Sequence, residues 1–308
     1  MMLHVLLLTV GFVFLVKGAD WFVEGAAGIA KKLGIPQLVI GLTIVAMGTS
    51  MPEAAVSITS ALSGSAGISI GNVVGSNILN ILIILGITAV LTNVRIQKTT
   101  SRYEIPFMIG ITIILMAFGI TGNQITFLEG ILFWLLFLIF LGYLFVISKK
   151  GSAQDEEEIK ELPLWKGVLG IIIGGILVVK GSDFAVEGAT EIARYFGMSE
   201  RFIGLTIVAF GTSLPELVTS VTAARRGNAD IAIGNIVGSN IFNILFVIGT
   251  TALICNVPFD QKFVIDTIVA IFSGVLLWAG TIRYKELRKN CGIVMLLCYA
   301  GYFIYLCK

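Results

Sequence analysis

The sequence predicts an all-α integral membrane protein whose ten transmembrane helices form two inverted five-helix repeats. Three observations carry this expectation. Hydrophobic residues fill 56% of the 308 positions and charged residues only 13%, about half the usual share of a soluble domain. With a mean hydropathy of +0.96, so much apolar surface needs a bilayer as its solvent. The segment 40–53, IGLTIVAMGTSMPE, returns at 203–216 as IGLTIVAFGTSLPE with 12 of 14 positions identical. GNVVGSNILNIL at 71–82 returns at 234–245 as GNIVGSNIFNIL with 10 of 12. Finally, each half holds five apolar runs. Five is odd, so the second half enters the membrane from the opposite side, a common plan of secondary transporters.

The apolar runs, each about 20 residues as a bilayer requires, place helices near 2–30, 36–62, 68–92, 105–120 and 126–148. Their second-half counterparts fall near 166–193, 202–223, 231–253, 263–282 and 291–307. The N-terminal run lacks the basic start of a signal peptide. It also has a counterpart deep in the chain: one offset of 163 residues sets Lys17-Gly18-Ala19-Asp20 on Lys180-Gly181-Ser182-Asp183, and Glu24 on Glu187. The chain thus divides into a first half (1–148), a linker (149–165) and a second half (166–308).

Lys and Arg concentrate in one set of loops, which includes Lys31, Lys32, Arg95, Lys98, Arg102, Lys149, Lys150, Arg225, Arg226 and Arg288. The opposite set holds only Arg194, Arg201, Lys262 and Lys308. The basic set is expected in the cytoplasm of a plasma-membrane protein. Both termini then face outside, and the acidic linker around Asp155–Glu158 is a cytoplasmic, solvated connector.

Other functional classes are disfavoured. A net charge of +2 is too small to argue for nucleic acid. The one histidine, His4, lies near the start, so interior histidine chemistry is excluded. Cys255, Cys291, Cys298 and Cys307 form no CxxC pair and read as small buried residues. The interior has no Lys–Ser or Asp–Asp pairing suited to catalysis, so no enzyme is expected. A cation channel with the glutamates as its filter remains an alternative, although broken helices in an inverted pair favour alternating access.

The chemistry lies in the repeated motif. Gly48-Thr49-Ser50-Met51-Pro52-Glu53 falls midway along an apolar helix, where Gly48 and Pro52 should break the helix and free backbone carbonyls. Glu53 adds a charge that costs several kcal/mol or more to bury uncompensated. No Lys or Arg in the motif compensates it, so a bound cation is the natural partner. In the next helix Ser76 and Asn80 sit four apart on one face, and Gly71 and Gly75 permit close helix approach. The second half repeats this with Glu216, Gly234, Gly238, Ser239 and Asn243. The result is an all-oxygen set of two carboxylates, hydroxyls and two amides, which suits Ca2+ and Na+ rather than zinc or copper. Single hydroxyls could instead bond back to their own helix, and the glycines could serve packing alone. Lys17 and Lys180 are expected to pair locally with Asp20 and Asp183.

Two copies of GTSxPE, each followed by GNxxGSNIxN, resemble the alpha repeats of the Na+/Ca2+ exchanger family, within the calcium/cation antiporter superfamily. The resemblance spans nearly the whole chain. It implies a ten-helix inverted-repeat antiporter with four central cation sites, in which Glu53 and Glu216 are shared ligands of Ca2+ and Na+. It further implies carbonyl ligands from Ala46, Thr49, Ala209 and Thr212, hydroxyl ligands from Ser50, Ser76, Thr212, Ser213 and Ser239, and an amide ligand from Asn80. Some relatives carry Asp where this chain has Asn243, and in K+-dependent exchangers that Asp is tied to K+ dependence. Proton-coupled relatives carry GNxxE where this chain has Gly75 and Gly238. Both departures favour Na+/Ca2+ exchange over the K+-dependent or proton-coupled alternative. The transported ions would be the substrates, with no cofactor, no nucleic acid and no obligate protein partner beside the lipid bilayer.

Overall fold

The computed structural model describes residues 2–150, 162–198, 209–282 and 285–306. The acidic run of the linker, the first part of the second-half motif (203–208) and Cys307 lie outside them.

The protein is an all-helical, multi-pass membrane protein. Its helices are α1 (Met2–Leu33), α2 (Gln37–Thr49), α3 (Met51–Leu62), α4 (Gly67–Leu91), α5 (Thr100–Gly122), α6 (Phe127–Lys150), α7 (Leu164–Tyr195), α8 (Leu214–Arg225), α9 (Ala229–Ile254), α10 (Lys262–Ile282) and α11 (Lys289–Leu306). Among the described residues eight of these are long and apolar enough to span a bilayer unbroken, and α2 with α3, bent by 49° at their junction, makes nine when the pair counts as one span. A short turn, Ala209–Gly211, precedes α8. Apart from the helix expected near 202–223, whose start lies outside the described residues, the expected helices occur within about five residues of their anticipated ends: α1 runs on to Leu33, and α5 starts five residues early through a π turn at Thr100–Glu104.

Two layers organise the bundle. At its centre, α4 and α9 are enclosed by the rest, and every residue of α9 from Ile231 to Phe242 is buried. Around them, α6, α10 and α11 present Leu138, Ile139, Ile268, Phe272 and Leu297 outward, as lipid-facing helices should. Both central helices widen into π turns, at Asn80–Leu85 and Asn243–Ile248, positions the offset of 163 residues superposes. Helical periodicity gives no warning of these wide turns, which often mark functional positions.

Outside this bundle α1 and α7 cross in close antiparallel contact. Glycines recur every seventh residue on both: Gly11, Gly18 and Gly25 on α1, and Gly167, Gly174, Gly181 and Gly188 on α7. A Cβ at Gly18 would lie 2.8 Å from the Gly174 carbonyl oxygen, and one at Gly174 would lie 2.5 Å from the Phe22 nitrogen. Without side chains at the seam, the two backbones touch.

Two antiparallel ladders tie the loops. β1 (Val94–Arg95) pairs with β4 (Glu286–Leu287), and β2 (Gln124–Ile125) pairs with β3 (Val257–Pro258).

Side-chain charges depart from one expectation. Lys180 and Asp183 do pair, at 3.2 Å. Asp20 instead accepts from Arg226 at 2.8 Å, and Glu24 lies 3.4 Å from the same guanidinium. A long-range partner has displaced the local one, and the first-half counterpart of Arg226 is the uncharged Ser63. The described cysteines, Cys255, Cys291 and Cys298, are free and half-buried rather than buried.

Replacing Gly18 with valine should destabilise the protein by about 1–3 kcal/mol through overpacking. Valine at Gly142, exposed with open space around it, should change stability by no more than about 0.5 kcal/mol. Thermal unfolding of the detergent-solubilised variants measures both.

Candidate functional site

The break in the motif helix falls at the serines. Ser50 (φ −86°, ψ 10°) separates α2 from α3, and Ser213 (φ −92°, ψ 3°) precedes α8. Pro52 and Pro215 then sit in the first turn of the new helices, where the missing N–H costs nothing. The expectation that Gly48 and the proline form the break is thus shifted by one or two residues. Pro215 leaves the Gly211 carbonyl without its helical donor, and Ser182 of α7 donates its hydroxyl to that oxygen at 2.5 Å. The first-half equivalent is Ala19, which has no hydroxyl to give.

Starting a new helix at Met51 and Leu214 puts Glu53 and Glu216 in first turns, where unsatisfied backbone N–H groups favour negative charge. Both carboxylates are buried, at 1% and 0% exposure. Each is held by a serine of the other half. Ser213 donates to Glu53 Oε1 at 3.5 Å, joined by Ser76 at 3.5 Å, and Ser50 donates to Glu216 Oε1 at 2.8 Å. Among the described residues neither glutamate forms an ion pair. Their other oxygens, Oε2 of both, have no hydrogen-bond partner, and the Oδ1 atoms of Asn80 and Asn243 share this state. Four buried oxygens in two repeat-related pairs, all acceptors, form an electron-rich set that a hard cation would complete.

The remaining expected residues surround this set. Ser239 donates to the Ala46 carbonyl at 3.4 Å, so two candidate ligands touch one another. The Thr49 hydroxyl bonds back to Val45 at 3.1 Å and also reaches Asn235 Oδ1 at 3.0 Å; it is buried, whereas Thr212 is half-buried. Ala209 opens the short turn before Ser213.

Four asparagines escaped the sequence reading. Asn72 Nδ2 donates to the Glu53 carbonyl at 3.1 Å and to Ser57 Oγ at 2.9 Å, and Asn235 Nδ2 does the same to Glu216 (3.5 Å) and Ser220 (2.9 Å). Where α4 crosses α9, Asn77 and Asn240 each donate to the other's backbone carbonyl at 3.2 Å. The signal lies in the repeat itself: all four are identical between the two copies of GNxxGSNIxN.

The family model for sodium/calcium exchanger proteins matches residues 3–146 and 166–308. The chain belongs to this family. Among curated relatives it is 38% identical to a putative antiporter, CaxA, of Alkalimonas amylolytica, with 98% of each chain covered. It is 32% identical to the sodium/calcium exchanger MaX1 of Methanosarcina acetivorans, over 98% of this chain and 97% of that one. Among solved structures, the sodium-calcium exchanger NCX_Mj soaked without Na+ and Ca2+ superposes with a TM-score of 0.86 at 32% identity, covering 99% of both chains.

The four unpartnered acceptors make a stability test possible. Glu53→Gln and Glu216→Gln each remove a buried charge at nearly constant volume. Each should raise the melting temperature in chelator, because an uncompensated buried ion costs several kcal/mol. Ca2+ at about 100 times its dissociation constant should stabilise the unsubstituted protein by about 2.7 kcal/mol and leave both variants unmoved.

Proposed function

We propose that this exchanger-family chain is a secondary active antiporter that exchanges Na+ for Ca2+ across the plasma membrane by alternating access. The observation that carries the reading is the pair of buried glutamates, each bonded by the other repeat's serine and each keeping one oxygen without a partner. The proposed ligands are Glu53, Glu216, the hydroxyls of Ser50, Ser76, Thr212, Ser213 and Ser239, the amides of Asn80 and Asn243, and the carbonyls of Ala46, Thr49, Ala209 and Thr212. The similarity to MaX1 and NCX_Mj, both named sodium/calcium exchangers, supports the choice of ions.

Charge gives the coupling. With both glutamates ionised the site carries two negative charges. One Ca2+ neutralises them, and so do two Na+; a third Na+ leaves one positive charge and makes the cycle electrogenic. The ions compete for the same carboxylates, and the empty site resists crossing a low-dielectric barrier.

Two features support a ten-helix inverted repeat divided at 1–148, 149–165 and 166–308. The offset of 163 residues carries β1 onto β3, and an offset one residue shorter carries β2 onto β4, so the β1–β4 ladder has its counterpart in β3–β2. The reciprocal Asn77–Asn240 bonds obey the same exchange. Packing differs between otherwise equivalent positions: Thr49 and Asn235 are buried, and Thr212 and Asn72 are half-buried. One motif in two arrangements supports alternation, in which the halves trade environments. The distribution of Lys and Arg places both termini outside and the linker in the cytoplasm.

In proteoliposomes loaded with Na+, an outward Na+ gradient should drive 45Ca2+ uptake against a Ca2+ gradient, which a channel cannot do. Glu53→Gln or Glu216→Gln should cut the rate on the order of 100-fold or more, in keeping with the cost of removing one partner from a buried ionic site. Wild-type uptake by either variant would refute the site. An inside-positive potential should speed uptake if three Na+ leave per Ca2+. Exchanging K+ for choline should change nothing, because Asn243 carries no charge.

A further inference from the structure

Four amides at the crossing of α4 and α9 form a chain whose polarity is set by the backbone. A peptide carbonyl can only accept a hydrogen bond. Asn77 Nδ2 meets the Asn240 carbonyl and Asn240 Nδ2 meets the Asn77 carbonyl, both at 3.2 Å. The NH2 prong of each is therefore committed, and only its oxygen prong remains. That oxygen demands a donor. Asn77 Oδ1 accepts from Asn243 Nδ2 at 3.1 Å, and Asn240 Oδ1 accepts from Asn80 Nδ2 at 2.9 Å. The outer amides are thereby turned as well, and their own oxygens are left over. Those are the two amide atoms found buried without partners. Asn80 lies one turn beyond Ser76, which touches Glu53, and Asn243 one turn beyond Ser239, which touches Ala46.

We propose that Asn77 and Asn240 are positioning residues that force the Asn243 and Asn80 amides to offer oxygen, not NH2, to the cation site. This rests on the reading of that site as the place where Ca2+ and Na+ bind. A reversed Asn80 or Asn243 would set oxygen against oxygen at the crossing and aim N–H donors at the cation. All four amides are at least 96% buried, so water cannot repair either fault cheaply. The assignment is crossed: Asn77 of the first half governs Asn243 of the second, and Asn240 governs Asn80.

The crossed wiring predicts a specific pattern in a double-mutant cycle. Ca2+ affinity is measured by isothermal titration on the purified full-length protein. Asn77→Leu should weaken binding roughly tenfold, as loss of an outer-shell partner does at metal sites, in the wild-type and Asn80→Ala backgrounds. In the Asn243→Ala background, where there is no amide left to orient, it should weaken binding by no more than about twofold. Equal losses in all three backgrounds would overturn the proposal, because a merely structural role does not depend on whether residue 243 carries an amide. Ion-free melting and monodisperse elution establish folding. If Asn77→Leu fails these, the mirror cycle of Asn240→Leu with Asn80→Ala makes the same test. Wild-type Ca2+ affinity in Glu53→Gln would refute the underlying site reading instead, independently of the cycle.

Discussion

Two carboxylates lie buried at the heart of a membrane protein, and among the described residues no basic side chain pairs with either. Burial of one ionised carboxylate costs several kcal/mol even after relaxation, and here two share one interior. Much of the surrounding structure answers to this constraint. The helices break at Ser50 and Ser213, so that each glutamate falls in a first turn where backbone N–H groups face it. The serines at the breaks reach across to the opposite glutamate. Asn72 and Asn235 hold the glutamates' own carbonyls. This relief is incomplete, and one oxygen of each carboxylate stays unsatisfied.

Symmetry allows this arrangement to be economical. Each half supplies a broken helix and a crossing helix, and neither half alone encloses a glutamate. Glu53 needs Ser213, Glu216 needs Ser50, and the amide chain alternates between α4 and α9 at every step. The halves are still not packed alike. Ser50 is 2.8 Å from its glutamate and Ser213 is 3.5 Å from its own, and Thr49 is buried where Thr212 is not. Near-identical sequence therefore occupies two environments within one chain.

Most of the fold was legible because the bilayer makes helices the only economical choice for long apolar runs, and the repeat at one offset cross-checked the count. The glutamates, serines and outer asparagines could be read because charge and hydroxyl stand out in an apolar helix. Three features were harder to read. The π turns after Asn80 and Asn243 have no periodic signature. The break at Ser50 follows from which carbonyl Pro52 leaves unserved, not from the proline's own position. Asn77 and Asn240 act across the helix crossing, and no spacing along one helix reveals a bond to another backbone. The glycine seam of α1 and α7 was visible as a seven-residue spacing, but its meaning depends on which helix lies opposite.

The two small ladders divide the molecule mechanically. β1–β4 fastens the loop joining α4 to α5 to the loop joining α10 to α11; β2–β3 fastens the α5–α6 loop to the α9–α10 loop. Six helices are thereby stitched into a closed scaffold, while α1 and α7 stand outside the stitching. They are joined along a seam where glycines let backbone meet backbone, flanked by side-chain contacts such as Phe14 against Phe184 and Leu15 beside Val178. Backbone contact along the seam couples these two helices to each other, whereas neither ladder holds them.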